Sequence, residues 1–238
     1  MTPQLTISFG GEHQARITET RQMTWPRYCA LFLPQAPEAI DKASKGWSIP
    51  AAFNPSYRDS TNLVARYALT FDYDNIKRSD VSVIEKAFAA LEYLIYTTAS
   101  HTPAAPRLRV LLPTDRPMRP DEFCAVSRKV AARAGIELAS RESHVPAQMM
   151  YLPTRKPAGP YKASHHQGQW VSVDAVLAEY TDWTDRTAWP HHAKGDSTHS
   201  AEEAMPPTEK PGIVGTFCRA FDVVAAIEKF ELPYKRVG

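Results

Sequence analysis

Between residues 63 and 153 the hydrophobic positions switch between two periods. Leu69, Phe71 and Tyr73 alternate with Thr70, Asp72 and Asp74, the period-two pattern of a half-buried strand. Ile84, Phe88, Leu91 and Ile95 then recur at helical spacing behind Ser79 and Asp80, both good caps, and a Ser82–Glu85 capping box. Residues 94–98 are short and rich in strand formers, 100–106 form a proline-containing turn and 108–112 a second strand, which together make a hairpin. Pro120 and Asp121 open a helix with Phe123, Val126 and Val130 on one face and Gly135 as its C-terminal cap, and 148–152 read as a last strand before Pro153. The order βαββαβ predicts an α+β fold built on a ferredoxin-like or RRM-like unit: a four-stranded antiparallel sheet, both helices on one face, first and third strands central. The first 60 residues read as a smaller α/β unit, with residues 25–33 apolar enough to be packed.

Side-chain parity then places the chemistry. Leu69, Phe71 and Tyr73 must face the helices, as must Leu108, Val110 and Leu112, so Asp72, Asp74, Arg107 and Arg109 share the open face of neighbouring strands. Carboxylates two apart on a strand are separated by roughly 7 Å, within side-chain reach of two divalent ions about 4 Å apart, the arrangement used in phosphoryl transfer. The alternatives are an Asp-rich strand end entering a turn and, for Arg109, a structural ion pair with either aspartate. Guanidinium forks at 107 and 109 suit phosphate, and His101, beside the turn at the end of what reads as an edge strand, can donate to a phosphate oxygen. A plain single-stranded RNA reader would carry aromatic rings where this face carries carboxylates. Replacing either aspartate with alanine is expected to leave folding nearly intact, because it relieves like-charge repulsion.

Composition adds limits. A chain of 238 residues, 43% hydrophobic and 23% charged, can bury one sizeable core. The net charge of +2 is uneven, since Arg107, Arg109, Arg116, Arg119, Arg128, Lys129 and Arg133 cluster in a way that suits a polyanion, with a solvated helix face as the alternative for the last three. Cys29, Cys124 and Cys218 form no paired motif, and no secretory or membrane-spanning run is present, so a cytoplasmic protein without a membrane partner is expected. The pairs His165–His166 and His191–His192 read as surface loops. Lys42 and Lys45 beside Trp47 could touch a nucleic-acid strand by charge and stacking, or belong to an ordinary loop with Trp47 in the core.

The motifs Phe71 to Asp74 and Ala99-Ser100-His101, with the phrases PRLRVLLPTDRP and QMMYLPTR, resemble the archaeo-eukaryotic primase superfamily, in the primase-polymerase branch carried by phages, prophages and plasmids. The resemblance spans about residues 50–155. It implies templated nucleotidyl transfer with Mg²⁺ or Mn²⁺ on Asp72 and Asp74, catalysis by these two and His101, and nucleotide contacts from Ser100, His101, Arg107 and Arg109. It further implies a single-stranded DNA template, nucleoside triphosphates and a replicative helicase in cis or trans as partners, with Lys42, Lys45 and Arg58 near the template. The third acid of that family is assigned here to Glu142, with Glu137 as alternative and Ser140 at the position where an acid is expected. Domain limits follow: a catalytic domain over 1–180, comprising an N-terminal subdomain 1–60 and a core 61–155; a linker 181–211; and 212–238 as the start of a truncated downstream module of a longer replication protein. A catalytically impaired replication-initiation or nucleic-acid-binding module, and less so a metal-dependent nuclease, stay open.

Overall fold

The computed structural model describes residues 3–11 and 15–191. Most of the 181–211 linker, the 212–238 segment, His192 and Cys218 lie outside the described residues. The chain runs β1 (Gln4–Gly10), β2 (Glu19–Thr24), α1 (Trp25–Cys29), β3 (Trp47–Ile49), β4 (Ala51–Phe53), β5 (Leu63–Asp74), α2 (Arg78–Ala87), β6 (Tyr93–Thr97), β7 (Arg107–Met118), α3 (Pro120–Ala132), β8 (Met150–Tyr151), β9 (Ala163–His166) and α4 (Val173–Leu177). The fold is α+β, with two antiparallel sheets ordered β2-β1-β3-β8 and β4-β5-β7-β6-β9.

In the larger sheet the alternation along β5 sets the layers. Leu69, Phe71 and Tyr73 pack with Phe88, Phe123, Val126 and Val130 of the α2 and α3 region. Phe71 and Phe88 stack at 6.2 Å between ring centroids. Both helices start on a carboxylate at their third position: Asp80 accepts from the Lys77 N–H (2.8 Å) and Glu122 from the Arg119 N–H (2.8 Å), with Pro120 opening α3. Thus α2, capped by Lys77, begins two residues earlier than a cap at Ser79 would place it, and Leu91 and Ile95 fall outside it. Ile95 belongs to β6 instead, because its position satisfies both the helical period and the strand alternation. Gly135, at φ +61°, follows α3 where a left-handed residue is needed.

Four expectations are corrected. The last strand of the βαββαβ order does not return to β5: β8 pairs with β3 in the smaller sheet. Its place is already taken by β4 along Leu63–Arg66 and by the segment 139–143, whose Ala139 N–H donates to Asp72 O (2.7 Å) and whose Ser143 Oγ accepts from Asp72 N–H (3.2 Å). Next, β6 is not an edge strand, because β9 pairs with its outer side. His165 and His166 therefore lie in a strand, where His165 bonds Glu92 (2.9 Å) and His166 bonds Ala89 O (2.8 Å) and stacks on Tyr93. Finally, packing continues past residue 180, since Trp183 and Trp189 both lie against the main core.

The smaller sheet decides where the site can be. Leu5, Ile7, Trp25, Tyr28 and Phe32 pack on Ala68, Leu94, Tyr96 and Leu111, the side chains of β5, β6 and β7 that face away from the helices. One end of the supposedly open face is thus a second core. Only its other end, beyond Tyr96, remains open.

Candidate functional site

At that open end the register pairs Asp72 with Arg109 and Asp74 with Arg107 across β5 and β7. Both pairs are closed ion pairs. Arg109 grips Asp72 through Nε (2.5 Å) and Nη2 (2.9 Å) and donates from Nη1 to Tyr96 Oη (3.3 Å). Arg107 Nη1 donates to Asp74 (2.8 Å) and Nη2 to Asn75 (3.1 Å). Burial works against the Arg109 charge, but Asp72 and Tyr96 outweigh it and hold the guanidinium above its ordinary pKa. The structural ion pair weighed for Arg109 is therefore what this state contains.

These four residues line a cavity of about 450 Å³ with Lys42, Ser100, Ser140, Glu142 and Tyr151. Ser140 and Glu142 reach it because the 139–143 segment is bonded to the Asp72 backbone, where Ser140 Oγ caps the short turn Arg141–His144 by accepting from Glu142 N–H (3.3 Å). Glu137 does not line the cavity. Two aspartates and an exposed glutamate on the lining of one cavity are hard oxygen donors of the kind Mg²⁺ and Mn²⁺ take. They are not gathered here: among the described residues no three His, Cys, Asp or Glu side chains form a group that could hold an ion.

His101 is separated from the carboxylates. It lines a neighbouring cavity, and its Nδ1 accepts from the Arg107 N–H (3.1 Å), so the neutral ring carries its proton on Nε2. Burial and then the Lys162 charge lower its pKa. The geometry assigns it an anchoring bond to the strand that presents Arg107.

The predicted template contacts divide. Lys42 lines the carboxylate cavity and lies over the Tyr151 ring (5.4 Å). Lys45 is exposed but not on the cavity. Arg58 is spent on structure, packing over Trp47 (5.5 Å) and donating to Ala147 O (3.2 Å). Trp47 is fully buried, so its ring has no free face for a base. The basic run also dissolves on folding: Arg116 is bound by Glu122 and Asp174, Arg119 by Asp121, and Arg133 by Glu179, while Arg128 donates to Pro190 O and Lys129 lies over Tyr180. Two contributors escaped the sequence reading. Tyr96 could have been found from the hairpin register opposite Arg109; Ser143 had no signal, because its role depends on an irregular segment replacing a strand.

No helix among the described residues is long and apolar enough to cross a membrane. Residues 46–192, more than half of the chain, match the family model described as the VapE N-terminal domain. Comparison with curated proteins gives no match. Among solved structures the chain is similar to the AEP domain of the primase-polymerase of cyanophage S-2L, at 11% identity and a TM-score of 0.46, over 73% of this chain and 88% of that one.

Proposed function

The chain belongs to the VapE N-terminal domain family, and for this member we propose metal-dependent nucleotidyl transfer on a single-stranded DNA template, in the replication of a phage, prophage or plasmid. The observation that carries this reading is the pair of cross-strand ladders, Asp72–Arg109 and Asp74–Arg107, opening into one cavity with Glu142 and Lys42. A nucleoside triphosphate supplies the anion that each guanidinium needs in exchange for its aspartate. Arg107 and Arg109 turn from carboxylate to phosphate, where the planar fork gives paired hydrogen bonds. Tyr96 holds the Arg109 side chain during the exchange, and His101 fixes the backbone that carries Arg107. Ser100 and Lys42, both on the cavity lining, border the phosphates and the strand. The released carboxylates of Asp72 and Asp74, with Glu142, would hold Mg²⁺ or Mn²⁺, which supplies charge neutralisation of the triphosphate and acidifies the attacking 3′-hydroxyl.

A second reading has its own support. Both aspartates are already neutralised by arginines, and Glu142 stands apart from them, which suits a catalytically impaired replication-initiation or nucleic-acid-binding module of the same fold. Nucleotide incorporation on a single-stranded template, with and without Mn²⁺, separates the two. Under the first reading Glu142→Gln lowers metal-dependent incorporation on the order of 10²-fold, since the amide keeps the shape and removes the charge. Glu137→Gln, off the cavity, behaves as wild type. A wild-type protein inactive under every metal condition, while still binding the template, favours the second reading.

A further inference from the structure

The arginines of the carboxylate cavity are neutralised from within; the cations of the neighbouring cavity are not. This second space, about 760 Å³, lies beside the 97–107 segment and has an apolar floor that includes Ile95, Leu108 and Val81. Arg78 and Lys162 stand on it as exposed side chains, and neither has a carboxylate partner among the described residues. His101 adds a third donor, because the Arg107 N–H occupies Nδ1 and leaves the proton on Nε2. The acid on the lining is Glu85, which leaves the charged residues with a net excess of cations. Tyr161 supplies an aromatic wall whose hydroxyl is fixed by donation to Phe32 O (2.7 Å).

Concave sites of this size with an apolar lining and a few convergent donors are built for small amphiphilic ligands. Guanidinium, ammonium and an imidazole N–H together select a doubly charged oxyanion over a single hydroxyl or amide. We propose that this cavity binds a molecule with a planar apolar body and a phosphate group, of the size of a nucleoside monophosphate, with the phosphate on Arg78, Lys162 and His101 and the body against Leu108 and Tyr161. The site is distinct from the carboxylate cavity and requires no divalent ion. Its occupant would reach the carboxylate site through the His101–Arg107 bond and through Tyr96, which lines both cavities.

The test is calorimetric titration of the full chain with adenosine monophosphate in the presence of a metal chelator, with adenosine and inorganic phosphate as separate probes. Saturable binding of the monophosphate is expected, with either part alone weaker by about tenfold or more, the factor for one lost interaction of roughly 1.4 kcal/mol. Arg78→Gln and Lys162→Gln should each weaken it by a similar factor, while Lys156→Gln, at an exposed cation on neither cavity, leaves it unchanged. The proposal is overturned by absence of saturable binding, by inorganic phosphate binding as tightly as the monophosphate, by retention of affinity in both the Arg78 and Lys162 variants, or by an equal loss in Lys156→Gln. Because no metal or template is present, these outcomes do not depend on whether the carboxylate cavity catalyses transfer.

Discussion

Asp72→Ala and Asp74→Ala are both expected to bring nucleotide incorporation to background, and Asp72→Ala is expected to lower thermal stability more than Asp74→Ala. The chemical half follows from the proposed transfer reaction, in which each carboxylate is needed to hold the ion. The stability half follows from the ion pairs and departs, for Asp72, from the sequence-based expectation that either variant leaves folding nearly intact. Repulsion between the aspartates does not decide the outcome, because each already faces its own arginine. Removing Asp72 strands a guanidinium that is only 14% exposed and keeps a single side-chain bond, to Tyr96. Leaving a largely buried charge unpaired costs about 2–3 kcal/mol, which for a chain of this size lowers Tm by roughly 5–10 °C. The Asp74–Arg107 pair is 35% and 30% exposed, so water replaces the lost partner and the cost stays within about 1 kcal/mol. Incorporation assays and thermal melts on both variants check the two halves separately. Wild-type incorporation in either variant removes the catalytic reading; equal melting temperatures would contradict the burial argument.

The second large effect is expected at Trp47. Its ring is fully buried in the smaller sheet, paired in register between Gly10 and Tyr151 and covered by Arg58. Truncation to alanine removes a large apolar area and leaves a cavity, at a cost of about 3–5 kcal/mol. Gly10 gives an independent check, because a Cβ built there collides with the Trp47 ring, so Gly10→Ala should also destabilise. Trp47→Phe keeps most of the packing. If Trp47 instead stacked on a template base, Trp47→Phe and Trp47→Ala would change DNA affinity at constant stability. Chemical denaturation alongside fluorescence-based binding of a single-stranded oligonucleotide distinguishes these outcomes.

The central strand pair was legible because its signals were local and redundant. Alternation along Leu69–Asp74 and Leu108–Leu112 fixes which side chains face the helices, and the βαββ order, which sets the first and third strands side by side, then brings Arg107 and Arg109 next to Asp72 and Asp74. The remaining strands depended on partners far along the chain. Nothing in Ala163–His166 distinguishes a strand from a polar loop until β6 offers an edge, and the 148–152 run is apolar enough for either sheet. The same limit applies to charge. A cluster of arginines in sequence says nothing about the carboxylates that folding brings to them, and Arg116 meets Asp174 only because α4 packs on α3. The cavity that His101 lines was not legible for a related reason: it belongs to the neighbouring space, whereas Ser100 and Arg107 line the carboxylate cavity.

The smaller sheet is closed by Met150–Tyr151, which joins β3 from the far end of the domain. Its first three strands come from the start of the chain, yet the fourth cannot arrive until β5, β6, β7 and α3 have been made. During synthesis the exposed edge of β3 must wait, and its partner is delivered only when the helical layer is nearly complete. Such non-local pairing slows folding and ties the two sheets into one cooperative event. A cut at residue 60 therefore releases no self-sufficient piece on either side: the front half loses its closing strand, and the back half loses the apolar cover over Leu94, Tyr96 and Leu111.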